Sequence, residues 1–377
     1  MAVSRRTILA ASGGALALVA VGGAWRVMRT PRTALEPWDL KATTPSDVRL
    51  DAFRHAILAP NSHNLQPWLI RLKGEDQAIL FADLDRLLPQ TDPFDRQITI
   101  SQGTFLELAR IAAAERGFAL EITPFPEGAD VRLDGRPVAT LRFVASNPPK
   151  DPLFAQIPNR RSNKEAYDLT RPLRDADIAM VTKVAGVSAG HTTDPAKIDA
   201  IKALVLDAVE IEMKLPRTHL ESTAVMRIGA REVDANPDGI SMHGPMIEAM
   251  DALGAISPER LSDPASFAFR SGLQMMQQTY GAAPAFIWIT TASNDRKTQL
   301  ASGSDYVRLN LAASAAGLSV HPMSQSLQEY PEMAKTYAAM HRILAPDGGR
   351  VQMLARIGYG PETGPTPRRP LGSNLVV

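Results

Sequence analysis

Ala59-Pro60-Asn61-Ser62-His63-Asn64-Leu65-Gln66-Pro67-Trp68 is the stretch on which the rest of the sequence converges. Apolar Val48, Ala52 and Ala56 predict a helix feeding it over residues 47–58, and the run Trp68 to Leu72 predicts a strand leaving it. Between them lie prolines, asparagines, a serine and a glutamine, side chains that shape turns and offer hydrogen bonds without carrying charge. Such a loop suits a planar ligand with heteroatoms along its edge better than a metal ion or a bare phosphate. Taken alone, it reads equally as an ordinary helix-to-strand connection.

Working outward, Lys73-Gly74-Glu75-Asp76 is a hairpin-like turn between that strand and a second at Ala78 to Phe81. A long helix is predicted from Asp95 to Arg116, closed by Gly117, with strands at Phe118 to Thr123 and Ala139 to Ala145. The pattern then recurs at a constant offset. Asp95-Arg96, Gly103, Leu106, Ala109, Ala112, Ala113 and Gly117 match Asp295-Arg296, Gly303, Tyr306, Leu309, Ala312, Ala313 and Gly317. In both copies an aspartate is expected to cap a helix that carries a stripe of small residues and ends on glycine. The offset is far too long for a solenoid, so the reading is two homologous halves, residues 47–150 and 151–377, sharing one core. The second half has helical segments at Asp175 to Ala185 and Pro195 to Leu215, and strands at Ala285 to Thr291 and Val351 to Tyr359. Residues 232–264 read as a long irregular stretch, and loops of that length are usually lids or insertions.

Two clusters of fixed positive charge stand out, Arg160/Arg161/Lys164 and Arg368/Arg369. Forked guanidinium donors match phosphate oxygens, and Ser162 adds a hydroxyl, so together they could hold one phosphate monoester. Singly, each pair reads as solvated surface. Gly186-Val187-Ser188-Ala189-Gly190 fits the hydrolase pattern G-x-S-x-G. That elbow needs a strand before the serine and a helix after it, and here a helical segment comes first. A serine hydrolase using Ser188 is therefore a remote alternative. Seven histidines without an H-x-x-x-H pair give no metal site.

With 377 residues, 45% hydrophobic and 21% charged, the chain can bury a large core. A formal net charge of +1 and no long basic run give no reason to expect nucleic acid as a partner. The absence of cysteine excludes disulfides, thiol catalysis and Cys-ligated metal centres. Ser4-Arg5-Arg6-Thr7 ahead of the Ala- and Gly-rich apolar run Ile8 to Ala24 resembles a twin-arginine export signal. Residues 1–30 are thus expected to act as signal or anchor, giving a periplasmic or membrane-anchored protein whose only membrane contact is that segment. Residues 31–46, with Pro31, Pro37 and Pro45, read as an extended linker.

The sequence resembles the nitroreductase superfamily over residues 45–377, and is most similar to the Acg-type subgroup in which two nitroreductase-like halves are fused. The resemblance rests on Ala-Pro-x-Ser-x-Asn-x-Gln-Pro-Trp at 59–68, Arg-Arg-Ser-x-Lys at 160–164, and Ile-Gly-Tyr with Pro-Arg-Arg-Pro-Leu at 357–371. It implies an α+β fold in which two intertwined halves, each a sheet flanked by helices, form an intramolecular pseudo-dimer. It also implies FMN as cofactor. The first half has the loop without an Arg-Arg-Ser counterpart, and the second has the basic motifs without the loop. One complete FMN site per chain follows, and a monomer suffices. By the same resemblance Arg160, Ser162, Arg368 and Arg369 would hold the phosphate, with Arg368 and Arg369 not distinguished and Arg161 counted among the cofactor-binding residues. Lys164 would reach the ribityl or pyrimidine edge, and Pro60, Asn61, Ser62 and Asn64 would line the isoalloxazine. No side chain need be a nucleophile, because a flavin carries the redox chemistry. The expected function is an FMN-dependent oxidoreductase passing electrons to a nitro- or quinone-like acceptor. An exported protein meets no free NAD(P)H pool, so a flavin-binding or storage protein, with 232–264 blocking the substrate face, is the second reading.

Overall fold

The computed structural model describes residues 28–41 and 43–377. The twin-arginine-like stretch and its apolar run lie outside them. Among the described residues no helix is long and apolar enough to cross a membrane.

A short 3-10 helix at Thr33–Trp38 precedes α1 (Val48–Ala56), which Asp47 caps by accepting the Arg49 backbone N–H. The hairpin β1 (Trp68–Lys73) and β2 (Gln77–Ala82) leads to α2 (Arg96–Glu115), then β3 (Phe118–Pro124) and β4 (Ala139–Ala145). A crossing segment carries the chain to α3 (Asp175–Thr182), a 3-10 helix at Lys183–Ser188, and β5 (Ala189–Thr192). An insertion follows: α4 (Pro195–Lys214), α5 (Pro216–Ala224), β6 (Met226–Ile228), α6 (Ala230–Ala235), β7 (Ile240–Met242), α7 (Pro245–Ala252), α8 (Pro258–Ser262) and α9 (Phe267–Gly281). The chain closes with β8 (Ala285–Thr291), α10 (Arg296–Ala315), β9 (Ser319–Pro322), α11 (Ala334–Leu344), β10 (Arg350–Gly358) and β11 (Leu375–Val376).

Both main sheets follow one plan. The first has the order β11-β1-β2-β4-β3, and the second β5-β8-β10-β9. In each, four antiparallel strands appear with the third and fourth in chain order exchanged, and a twenty-residue helix joins the second to the third. Where the first sheet has the tight turn at Gly74, the second has the insertion. The crossing segments tie the two together. Leu153 and Ile157 still pack in the first core, and the chain reaches the second sheet only where Asn163 N–H donates to Val320 O of β9. After β10 the tail returns, and β11 pairs in parallel with β1. The chain thus passes from the first core to the second sheet over residues 157–163.

The two long helices meet at their glycines. A Cβ on Gly103 would lie 1.9 Å from Leu300 O, and one on Gly303 would lie 2.0 Å from Ile100 O. Each helix also serves the other's core: Leu300, Val307 and Leu311 of α10 pack in the first core, and Ile100 of α2 packs in the second. Their first residues repeat the exchange. Buried Arg96 donates to Leu327 O and Gln352 O at 2.7 Å and pairs with Glu329 at 2.9 Å. Arg296 reaches back to Phe94 O at 2.6 Å, Thr99 Oγ1 at 2.7 Å and Asp95 O at 3.1 Å. These bonds satisfy carbonyls and guanidinium donors that the packing has removed from water.

The structure departs from three sequence expectations. Asp295 caps α10 as expected, accepting the Thr298 N–H, but Asp95 sits in the left-handed region (φ 54°) and makes no cap bond. Its carboxylate instead receives Arg132 and the Leu133 N–H, while Asp92 accepts the Ile98 N–H. The stretch 232–264 is not irregular, since it contains most of α6, then β7, α7 and α8. Nor are residues 31–46 simply an extended linker, because Ala34 is buried and Trp38 docks on the C-terminal tail.

Gly103→Ala should destabilise the protein by about 2 kcal/mol, since the added methyl meets backbone rather than a flexible side chain. Gly272→Ala on α9, where nothing lies within 4 Å, should be neutral or stabilising by up to about 1 kcal/mol. Chemical denaturation of the two variants checks this contrast.

Candidate functional site

The loop at 59–68 is held in a conformation few sequences tolerate. His63 (φ 49°), Asn64 (φ 54°) and Gln66 (φ 54°) all occupy the left-handed region. Asparagine is accepted there, but histidine and glutamine in that state signal a backbone fixed by its surroundings. Asn61 braces the turn from within: its Oδ1 accepts Gln66 N–H at 2.8 Å, and its Nδ2 donates to Ala59 O. Pro60 O receives Thr104 Oγ1 from α2 at 2.7 Å, and Ser62 N–H donates to Ser101 Oγ. Gln66, wholly buried, donates to Pro237 O and accepts Arg369 N–H at 2.8 Å. Asn64 joins loop to tail, with Nδ2 donating to Pro367 O at 3.0 Å and Oδ1 accepting Arg368 Nη1 at 2.5 Å.

Against this loop the crossing segment and the tail bring cations together. Arg160 Nη2 donates to Leu58 O at 3.0 Å, and Arg368 Nη2 to Leu58 O and Ala59 O at 3.2 and 3.1 Å. The guanidinium carbons of Arg161 and Arg368 lie 4.6 and 5.3 Å from the centroid of the Trp38 ring. Among the described residues no carboxylate pairs with Arg160, Arg161, Arg368 or Lys164. Arg160 Nε and Nη1, Arg161 Nε and Arg368 Nε are buried without a hydrogen-bond partner. Burial pulls the Arg160 guanidinium down to about 10, against Tyr306 and with a smaller push from Arg161. Arg368 is lowered by burial and then by the charges of Arg160 and Arg161. Three mutually repelling cations with unmet donors are costly for a protein by itself.

Lys164 is presented by rigid neighbours. Asn163 is held by Val320 O, Ser319 Oγ and Pro361 O, and buried Arg356 donates to Glu165 O at 2.7 Å. Lys164 is exposed by area, yet desolvation holds its ammonium below the ordinary lysine range. It also lowers His63, whose imidazole burial and Lys164 together bring to about 4.

The structure thus places Asn64, Arg160, Arg161 and Arg368 together, with Asn61 bracing the same loop and Pro60 anchoring it on α2. Ser62 lies on the loop and Ser162 on the crossing segment between Arg160 and Lys164. Arg369 points elsewhere: its Nη2 donates to Ser373 O and its Nη1 lies 3.8 Å from Asp83. Arg368 is therefore the tail arginine at the cluster. Ser188 does not sit on an elbow, since a 3-10 helix precedes it, β5 follows, and its Oγ donates to Asp305 at 2.9 Å. Sequence reasoning missed Trp38, whose indole N–H donates to Thr366 O at 2.8 Å, and gave His63 no role. A lone tryptophan among prolines was the available signal for the first. A cleft of about 410 Å³ lined by Tyr167, Arg171 and Tyr359 contains none of the cluster, so unmet charge decides the location.

The insertion closes over the loop. Gly239 N–H donates to Asn64 O at 3.0 Å, Asp238 pairs with Arg86 at 2.6 Å and with Arg227, and Glu221 accepts the Gln90 and Thr91 N–H groups.

No protein-family model matches the chain. A Mycobacterium tuberculosis protein whose name assigns it provisionally as an NAD(P)H nitroreductase is 28% identical over 327 residues, 84% of this chain and 87% of its own length. Another from that organism, provisionally named NAD(P)H nitroreductase acg, is 38% identical over 93 residues, 24% of this chain and 27% of its own. Among solved structures, a nitroreductase with bound FMN from Bacteroides fragilis covers 59% of this chain and 95% of its own at 12% identity and TM-score 0.35. A provisionally named nitroreductase from Anabaena variabilis covers 90% and 91% at 11% identity and TM-score 0.42. At those scores the structural likeness carries no argument.

If the cluster is built for a dianion, inorganic phosphate should raise the melting temperature, by about 2.7 kcal/mol of stability at a hundredfold excess over Kd. Arg160→Met should lose that response while melting no lower than wild type without phosphate. A wild type indifferent to phosphate contradicts the assignment.

Proposed function

We propose that the chain is an FMN-binding oxidoreductase of the nitroreductase type. The observation that carries this reading is the cluster of Arg160, Arg161 and Arg368, with no salt-bridged carboxylate among the described residues and with buried donors left unmet, set directly against an amide-rich loop in strained geometry. A phosphate monoester would take the unmet donors and neutralise the repulsion. The loop beside it, with Pro60, Asn61, Ser62 and Asn64, suits the heteroatom edge of a planar ring. The Lys164 ammonium would supply a positive charge that favours an electron-rich form of that ring. FMN supplies hydride and electron transfer when bound; the chain's own residues bind it, orient it and keep water from it. Ser162 and Arg369 join the proposed contacts through their neighbours in sequence, Arg369 only by way of its backbone bond to Gln66.

The reciprocal helices and the repeated strand order support reading the chain as two fused halves that share one such site. The export-like segment at 1–30 supports a periplasmic or membrane-anchored location, where an electron donor other than free NAD(P)H would serve. One observation favours the second reading, a flavin-binding protein without turnover: the insertion is bonded to the loop through Gly239 and Pro237, and Asp238 reaches it by way of Arg86, whose Nη1 donates to Leu65 O.

Fluorescence titration with FMN should show Arg160→Ala weakening binding by about 1.5–3 kcal/mol, the worth of a hydrogen bond to a charged group, and Asn64→Ala, which removes a loop bond positioning Arg368, weakening it by about 0.5–1.5 kcal/mol. FMN-loaded wild type that bleaches on mixing with NADPH would exclude storage. Bleaching only after Asp238→Ala loosens the insertion would identify the insertion as the block.

A further inference from the structure

A line of hydrogen bonds runs from the insertion into the loop, and the function proposed so far leaves it unused. Glu212 on α4 is 7% exposed, and its Oε2 accepts Gln328 Nε2 at 3.2 Å. Its Oε1 lies 3.3 Å from Ser222 Oγ on α5. Ser222 Oγ lies 3.1 Å from His63 Nε2, and His63 Nδ1 lies 3.4 Å from Ser62 Oγ. The line ends on the loop residue proposed to face the ring. His63 holds its place in it despite a backbone state histidine seldom adopts.

We propose that Glu212, Ser222 and His63 carry protons to the enclosed face of the site. The proposal rests on the reading of that site as a flavin site acting on a quinone-type acceptor. The line has two polarities. In one, the Glu212 carboxyl donates to Ser222 Oγ, the Ser222 hydroxyl donates to His63 Nε2, and His63 Nδ1–H points to Ser62. In the other, Ser222 donates to the Glu212 carboxylate, His63 Nε2–H donates to Ser222, and Nδ1 accepts from Ser62. Passing from the first to the second moves one proton from Glu212 to the Ser62 end and leaves His63 neutral. The acceptor's balance needs that proton: a quinone plus the hydride delivered from the reduced cofactor plus one proton gives the hydroquinone. Glu212 regains its proton from bulk water between turnovers.

The electrostatics suit the task. Burial pushes the Glu212 carboxyl up to about 7, with Glu221 adding and Gln328 and Ser222 opposing. The Tyr280 and Tyr330 phenols also face it, and burial pushes both up, so neither takes its proton. A carboxyl that titrates near neutrality is matched to proton transfer there. His63, brought to about 4 by burial and Lys164, hands a proton on rather than storing it.

The test uses the full chain loaded with FMN, reduced anaerobically with dithionite and mixed with benzoquinone, while flavin absorbance reports oxidation across the neutral pH range. Infrared spectra of the resting FMN-loaded protein follow the protonated-carboxyl stretch in parallel. Wild type should slow as pH rises through about 7, with a carboxyl band fading over the same range. Glu212→Gln, the same size and shape but unable to release a proton, should lose both the band and the pH dependence. Ser222→Ala should slow oxidation on the order of 10²-fold and keep the band. Unchanged FMN affinity in both variants shows that they fold and bind. Identical pH profiles in all three proteins with FMN bound would overturn the proton line and leave the flavin reading standing. A wild type that takes up no FMN would overturn that reading and the inference with it.

Discussion

Two helices can approach until their backbones touch only where neither carries a side chain, and the crossing at Gly103 and Gly303 sets the rest of the molecule. A methyl on either glycine would sit about 2 Å from a carbonyl oxygen of the opposite helix. The close crossing lets Leu300, Val307 and Leu311 enter the first core and Ile100 the second, so neither core is complete without the other helix. Arg96 and Arg296 then bond carbonyls across the junction in both directions. The two sheets are fixed to each other, and a site at their junction inherits that rigidity.

The site draws on elements that are remote in sequence and converge only because of this arrangement. The crossing segment brings Arg160 and Arg161, the tail brings Arg368, the N-terminal 3-10 helix brings Trp38, and the loop after α1 brings Asn64 and the carbonyls of Leu58 and Ala59. The cations repel one another, their unmet donors are buried, and the loop holds three residues at positive φ. Each feature costs folding free energy, and the strong crossing, the Arg96 and Arg296 bonds and the insertion offset that cost. A bound dianion would turn the unfavourable part favourable.

Much of this was legible in the sequence because it is local or periodic. The helix, turn and strand signals around 59–68, the stripe of small residues in each long helix, and the constant offset between Gly103 and Gly303 all leave short-range marks. The basic motifs were visible as charge, although only the fold separates Arg368 from Arg369, which turns toward Asp83. What was hidden depends on contacts between distant residues. Residues 232–264 look irregular because their helices are short and separated by glycine and proline, and their order comes from a small core of their own around Ile228, Ile256, Leu261 and Ala268. Asp95 has a cap's sequence position, but Arg132 and the Leu133 N–H compete for its carboxylate and Asp92 takes over part of the role. Trp38 in an apparent linker could acquire meaning only once the tail was seen to lie against it.

The central claim is that two complementary halves build one composite FMN site. The absorbance of the purified full chain after saturation with FMN and removal of excess, read with phosphorus content, tests it most directly. The account predicts one FMN per chain. Two per chain would contradict it by showing that each half completes a site of its own, and none would remove the cofactor from the account.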